Sequence, residues 1–452
     1  MSEQVDVVVV GLGPGGEDLA GRLAEAGLHV VAIDAELVGG ECPYWGCVPS
    51  KMMIRAANLL AEGRRIEGMA GTATVSADWA PVAERIRKEA TDTWDDTAAV
   101  DRLTGRGARF VRGWAHLDGP GRVVVDGQAF EATKAVVLNT GARSWAPPIP
   151  GLEGTPYWTN RQAIEAEEVP GSMIILGGGP IGLELGQVFS RFGAEVTVVE
   201  VADRLLAVED PESSELIQSV FTEEGIEVIT GASISRVAYG DGFTVSIEGR
   251  PDVSAPVLLV ATGRRPDLEG LRVGTVGLDE GARSIPVDEH LRAGPGLWAI
   301  GDVTGIGPFT HVSMYQSAIA VSDILGQAHA TADYRALPRV TFTDPEIGSV
   351  GLGEHEARER GIQVGVGTTQ VPSTTRGWIH KAGNAGFIKL IADLDNEVLV
   401  GATSAGPIGG EVLGLLTLAI HARVPLSSLR SMIYAYPTFH RGVEAALADI
   451  SD

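Results

Sequence analysis

One local pattern occurs twice in this chain and limits what it can fold into. Residues 5–10 are a valine-rich run of the kind that forms a strand buried on both faces. The run enters Gly11-Leu12-Gly13-Pro14-Gly15-Gly16, a helix is predicted over about 17–26, and a second strand over 29–33 ends on Asp34. Glycines at 11, 13 and 16 permit a tight turn and let a pyrophosphate approach the helix N-terminus, while Asp34 can accept from ribose hydroxyls. The pattern returns with a strand over 172–176, a loop with Gly177, Gly179 and Gly182, a helix to about 192, and a strand over 195–199 ending on Glu200. Two such units imply two dinucleotides. A 2′-phosphate beside Glu200 would meet a carboxylate, so the second unit is expected to prefer NAD(H) to NADP(H). Arg204, four residues on, is the one nearby cation that could still receive that phosphate.

The only two cysteines, Cys42 and Cys47, fall together in Gly39-Gly40-Glu41-Cys42-Pro43-Tyr44-Trp45-Gly46-Cys47-Val48-Pro49-Ser50-Lys51. Pro49 suits the first turn of a helix, and 52–60 is rich in helix formers, so the thiols are expected at a helix N-terminus. That position favours an anion and lowers a thiol's pKa, making the pair a candidate redox couple. The alternative is two buried cysteines acting as small apolar residues. Zinc would need further Cys or His ligands, and no histidine lies nearby in sequence, so no metal site is expected.

Charge and composition narrow the class. Asp plus Glu is 59 against 35 Lys plus Arg, and a net charge of −24 argues against nucleic acid or an anionic membrane as partner. Any bound phosphate must then be held by local backbone donors. At about 150 residues per domain, 452 residues suggest three domains, and 59 glycines suit an α/β protein with many strand-to-helix turns. The acidic start leading directly into a strand, and the absence of a bilayer-length apolar run, place the protein in the cytoplasm as an expectation. A reducing compartment makes a catalytic cysteine pair more plausible than a structural disulphide.

Three further strand ends carry a signature: Val136-Val137-Leu138-Asn139-Thr140-Gly141, 257–263 ending Ala261-Thr262-Gly263, and 297–302 ending Gly301-Asp302. A carboxylate there stands where open α/β sheets bind ligands. Taken in order with the glycine loops and cysteine segment, these motifs resemble the pyridine nucleotide-disulphide oxidoreductases, which include dihydrolipoamide dehydrogenase, glutathione reductase and mercuric reductase. Phe342-Thr343-Asp344-Pro345-Glu346, Gly386-Phe387-Ile388-Lys389-Leu390 and Tyr436-Pro437-Thr438 extend the likeness over nearly the whole chain. The resemblance implies an α/β fold with two Rossmann-like domains, for FAD (1–150 and 271–335) and NAD (151–270), plus a C-terminal α+β dimerisation domain (336–452). It also implies a homodimer in which each tail reaches the partner's active site. Asp34 would then serve the FAD ribose and Asp302 its ribityl chain. Cys47 would face the flavin, Cys42 would exchange with substrate, and Lys51 and Glu184 would pair near the flavin ring. The alternative for that pair is a surface ion pair worth little to stability.

The departures bear on the electron acceptor. Disulphide-reducing members carry His-Pro-Thr-x-x-Glu in the tail; here Tyr436 replaces the histidine and Arg441 the glutamate. General acid–base catalysis is worth roughly 10² to 10⁴ in rate, and a phenol of pKa about 10 replaces imidazole poorly at neutral pH. His440 would share a helical face with Glu444, which could orient its ring; a surface histidine is the other reading. Mercuric reductases share the tyrosine but add a C-terminal cysteine pair that has no counterpart here. Glu41 stands where threonine is common. Tyr44 and Trp45 could narrow access, offer a stacking surface to a flat acceptor, or simply pack in the core. Pro180 stands where glutathione reductases have a mobile tyrosine. Three readings follow: reduction of a small acceptor such as a quinone, another oxidised small molecule or a metal ion; a dihydrolipoamide dehydrogenase-like dithiol enzyme; or a redox-sensing flavoprotein with negligible turnover.

Overall fold

The computed structural model describes residues 2–328 and 330–451. The chain divides into two compact units, one built from 1–49, 84–145 and 263–333, the other from 50–83, 146–262 and 334–452.

In the first unit, strand Ser2–Val10 lies inside a sheet between Val30–Asp34 and Gln128–Leu138, parallel to both. Arg109–Arg112 extends it beyond Val30–Asp34, and Leu297–Ala299 beyond Gln128–Leu138, again in parallel. The valine run has two-sided burial for a simple reason. Val7 and Val9 join one apolar core with Leu19, Leu23 and Ile319, whereas Val8 and Val10 join the other with Ile33, Phe130 and Leu138. A bulge between Val5 and Val7 returns Val5 to the second core. Helix Pro14–Glu25 starts on the first glycine loop with Pro14 in its first turn. The strand expected over 297–302 is shorter: it ends at Ala299, and Gly301 and Asp302 open a 3₁₀ turn, Gly301–Thr304.

In the second unit, Glu227–Ile229, Glu195–Val199, Ser172–Leu176 and Val257–Val260 form a four-stranded parallel sheet, with helix Pro180–Arg191 leaving the second glycine loop. A separate antiparallel sheet runs in the order Pro338–Thr341, Glu346–Gly351, Val398–Gly406, Phe387–Asp393, Val364–Gln370. Helices Gly409–His421, Leu426–Ser431 and Arg441–Asp449 share one apolar core with that sheet. Parallel strands alternating with helices, then an antiparallel sheet with segregated helices, are an α/β part followed by an α+β part. Among the described residues no helix is long and apolar enough to cross a membrane.

Candidate active site

The two glycine loops are built alike. In the first, Leu12 N donates to Asp34 Oδ2 at 2.6 Å and Glu36 N to Oδ1 at 2.7 Å, so the acid closes its own loop. In the second, Glu200 accepts from Gly178 N at 2.5 Å and from Ala202 N at 2.7 Å. Gly11 has φ +90, and a Cβ there would lie 2.3 Å from Asn139 O; Gly177 has φ +112 with Ala261 O at 2.4 Å. A Cβ on Gly16 would meet Gly11 O at 2.1 Å, and one on Gly182 would meet Gly177 O at 2.3 Å. Gly13 and Gly179 are the extended N-cap residues of their helices. Arg204 is not directed outward: it donates to the carbonyls of Leu206 and Ala207 and to Ser214 Oγ, which braces the loop after Glu200.

Residues that sequence reasoning did not single out support the first loop. Asn139 Nδ2 donates to Gly11 O at 3.3 Å, Ser313 Oγ donates to Asn139 Oδ1 at 3.2 Å, and Gly301 N donates to Gln316 Oε1 at 2.6 Å. Gly141 and Gly301 both have positive φ, as does Gly263, whose carbonyl accepts from Trp145 N at 3.0 Å. Burial pushes the Asp34 and Asp302 carboxyls up. Arg264 lies 4.0 Å from Asp302 through its Nε and 3.6 Å from Glu41, donates from Nη2 to Ala142 O, and keeps that buried Nε without a hydrogen-bond partner among the described residues.

The cysteine segment forms two helix starts rather than one. Cys42 sits on its own short helix, Glu41–Tyr44, and the following helix, Cys47–Arg64, starts two residues before Pro49. Neither cysteine forms a disulphide; Cys47 is exposed and Cys42 half-buried. The expectation of a lowered thiol pKa is corrected for Cys42. Its hydrogen bond to Cys47 and its burial hold the proton on Cys42 and push its pKa far up. Thr310, first residue of helix Thr310–Ile324, has its hydroxyl 3.4 Å from Cys47 Sγ. No spacing rule links two residues 263 positions apart, and only the fold brings Thr310 there. Tyr44 is buried, which favours core packing for that ring, while Trp45 is partly exposed beside it.

Lys51 and Glu184 are joined at 2.8 Å. The Glu184 side chain is 7 % exposed and also accepts from Phe342 N at 2.8 Å, while Lys51 Nζ stands 4.6 Å over the Phe342 ring. This is a buried carboxylate with two donors rather than a surface ion pair. In the tail, Tyr436 is 66 % exposed, its hydroxyl 3.5 Å from Thr375 Oγ1 and its ring 5.3 Å from the Arg441 guanidinium. Arg441 also holds Glu444 at 3.2 Å. His440 precedes helix Arg441–Asp449 and lines a cavity. Glu444 pairs with Arg441, one turn before it, and no hydrogen bond between Glu444 and His440 is present among the described residues.

Comparison with known proteins agrees with this architecture. The family model of the pyridine nucleotide-disulphide oxidoreductases matches residues 5–320, and that of their dimerisation domain matches 337–447. The chain belongs to this family. It is 33 % identical to a dihydrolipoyl dehydrogenase of Thermus scotoductus over 98 % of this chain and 97 % of that one. It is 32 % identical to a mercuric reductase of Bacillus cereus over 98 % of this chain and 71 % of the relative. Among solved structures it resembles the HOCl-induced flavoprotein disulfide reductase RclA of Escherichia coli, with TM-score 0.85, 28 % identity, and coverage of 98 % and 99 %. The protein is thus an FAD-dependent flavoprotein disulphide reductase that takes electrons from NAD(P)H and carries a dimerisation domain.

The residues present fit FAD. The first loop has glycines where a Cβ would collide and an acid at its mouth, and Arg264 Nε, buried beside Asp302 without a hydrogen bond, suits an oxygen-rich ligand. FAD, when bound, supplies two-electron transfer between the nicotinamide and the cysteine pair. Asp34 and Asp302 would hold its hydroxyls, and the loop amides at the start of Pro14–Glu25 its phosphates.

Proposed function

We propose that the protein oxidises NADH and passes two electrons through FAD and the Cys42/Cys47 pair to a small acceptor, with a quinone favoured. The carrying observation is the tail. It holds a tyrosine where disulphide-reducing relatives have a histidine, and Glu444 pairs with Arg441, the residue in the place of the family's glutamate. A disulphide substrate needs a proton donor and acceptor for each thiolate that leaves or attacks. A quinone takes two electrons and two protons, and solvent can deliver the protons to its oxygens. NADH plus a proton and quinone then give NAD⁺ and quinol. Cys47 would hold the thiolate and Cys42 the proton between turnovers. Other oxidised small molecules and metal ions remain within the same reading.

NADH is favoured over NADPH because Glu200 is fixed at the second loop and Arg204 is occupied by three acceptors of its own loop. On the same reading 1–150 with 271–335 bind FAD, 151–270 bind NAD(H), and 336–452 join two copies into a homodimer in a reducing cytoplasm. The test is NADH oxidation at pH 7 with a soluble benzoquinone against lipoamide, expected to differ by about 100-fold or more in favour of the quinone. Rapid lipoamide turnover that collapses in His440→Ala would instead establish a dihydrolipoamide dehydrogenase-like enzyme.

A further inference from the structure

We propose that Glu41 sets the reduction potential of the flavin: its carboxylate opposes reduction and so makes the reduced flavin a stronger electron donor. Threonine is common at this place in the family, whereas this chain brings a charge there. The residues before Glu41 are packed on the first glycine loop. Gly39 N donates to Leu12 O at 2.7 Å, and a Cβ on Gly40 would lie 2.9 Å from Gly13 Cα. One residue earlier, Val38 N donates to the Asp96 carboxylate at 2.7 Å. Glu41 therefore starts its short helix, Glu41–Tyr44, beside the loop whose amides would hold the FAD phosphates.

The Glu41 carboxylate lies 3.6 Å from Arg264. The Arg264 side chain is only 18 % exposed and stands 4.0 Å from Asp302, the carboxylate that would hold the flavin's ribityl hydroxyls. Its short strand, Arg264–Arg265, pairs with Arg143–Ser144, and Nη2 donates to Ala142 O, so the guanidinium is tethered between the two acids. All of these residues belong to the first unit. The three charges act on one another: burial raises the Asp302 pKa, Arg264 lowers it and Glu41 raises it. With threonine at position 41, one cation would face one carboxylate. With Glu41 the set carries one more negative charge. Hydride arrival brings two electrons and one proton, hence one negative charge, to the flavin, and a partly buried carboxylate nearby opposes it. The effect requires FAD at the first loop and is compatible with any electron acceptor.

The test equilibrates the full-length, FAD-loaded protein anaerobically with a reference dye of known potential and reads the flavin absorbance. Every sample carries Cys42→Ser, so that the flavin is its only two-electron couple. At one dye potential, Glu41→Gln and Glu41→Thr are expected to raise the ratio of reduced to oxidised flavin about tenfold, equivalent to about 30 mV. Glu41→Asp keeps the charge and should stay close to the parent protein. An unchanged ratio in Glu41→Gln and Glu41→Thr overturns the proposal. So does a shift in Glu41→Asp as large as theirs, which would assign the effect to packing. The flavin-to-protein absorbance ratio is read on the same samples: a Glu41→Gln protein that no longer retains FAD would make Glu41 part of the cofactor's seat and would overturn the proposal as well.

Discussion

Thr310 meets the cysteine pair across 263 positions of sequence. Its hydroxyl is 3.4 Å from Cys47 Sγ and opens a helix whose N-terminal end favours negative charge. A hydrogen bond to a charged group contributes about 1.5–3 kcal/mol, so Thr310→Val is expected to move Cys47 alkylation to higher pH. The pH dependence of Cys47 alkylation reads this directly, and Thr310→Ser should restore most of it. An unmoved profile would reduce the contact to packing. The cysteines were legible as a pair because they are the only two and lie five residues apart. The raised pKa of Cys42 was not, because it follows from its contact with Cys47 and from its burial.

At the scale of the element, each strand–loop–helix unit was readable because its glycines obey local rules. A Cβ on Gly16 or Gly182 would lie within 2.3 Å of a backbone oxygen of its own loop, and a backbone atom cannot move aside as a flexible side chain can. Forcing an extra methyl into such a contact costs about 1–3 kcal/mol or more. Gly182→Ala is therefore expected to weaken NADH binding while leaving the flavin-to-protein absorbance ratio near wild type, and Gly16→Ala to lower that ratio first. The reverse pairing of effects would reassign the two loops. Element ends were less legible. Cys42 has its own short helix, and Gly301 and Asp302 form a turn rather than the end of a strand, because neighbouring backbone donors and acceptors decide where a helix or ladder stops.

At the scale of the whole molecule, long-range charge networks bind segments of the second unit that local reading treats separately. Lys389, 3 % exposed on strand Phe387–Asp393, reaches Glu212 at 2.7 Å, Glu354 at 2.8 Å and Asp210 at 3.5 Å. Nearby, Arg339 holds Glu209 through both guanidinium arms at 2.7 and 2.9 Å. Removing one partner of a buried ion pair costs about 3–5 kcal/mol, so Lys389→Met should lower denaturant stability by that order. Burial pulls the Lys389 pKa down, but its carboxylate partners prevail and raise it above 10.5. Its stabilisation is then whole below 10.5 and lost as pH rises through the folded value. The hydrogen bond from Lys389 lowers the Glu354 pKa below 4.5, so that contribution is whole above 4.5 and lost as pH falls through the folded value. The wild-type advantage over Lys389→Met should form a plateau between these limits and shrink at both ends. A difference that ignores pH would mean that packing, not charge, sets the effect.

From the sequence alone came the two nucleotide-binding units, the redox character of the single cysteine pair, the family and the altered tail, because each is written in residues close together in the chain. Tertiary structure alone decided that burial and the contact with Cys47 push the Cys42 pKa up, that Thr310 meets Cys47, that Glu184 is buried, and that Glu444 pairs with Arg441. It also decided that Arg204 braces a loop. The physical reason is the same in each case. Glycine turns and strand patterns depend on local sterics, whereas the partner of a charge or a hydroxyl depends on which distant segment the fold packs against it.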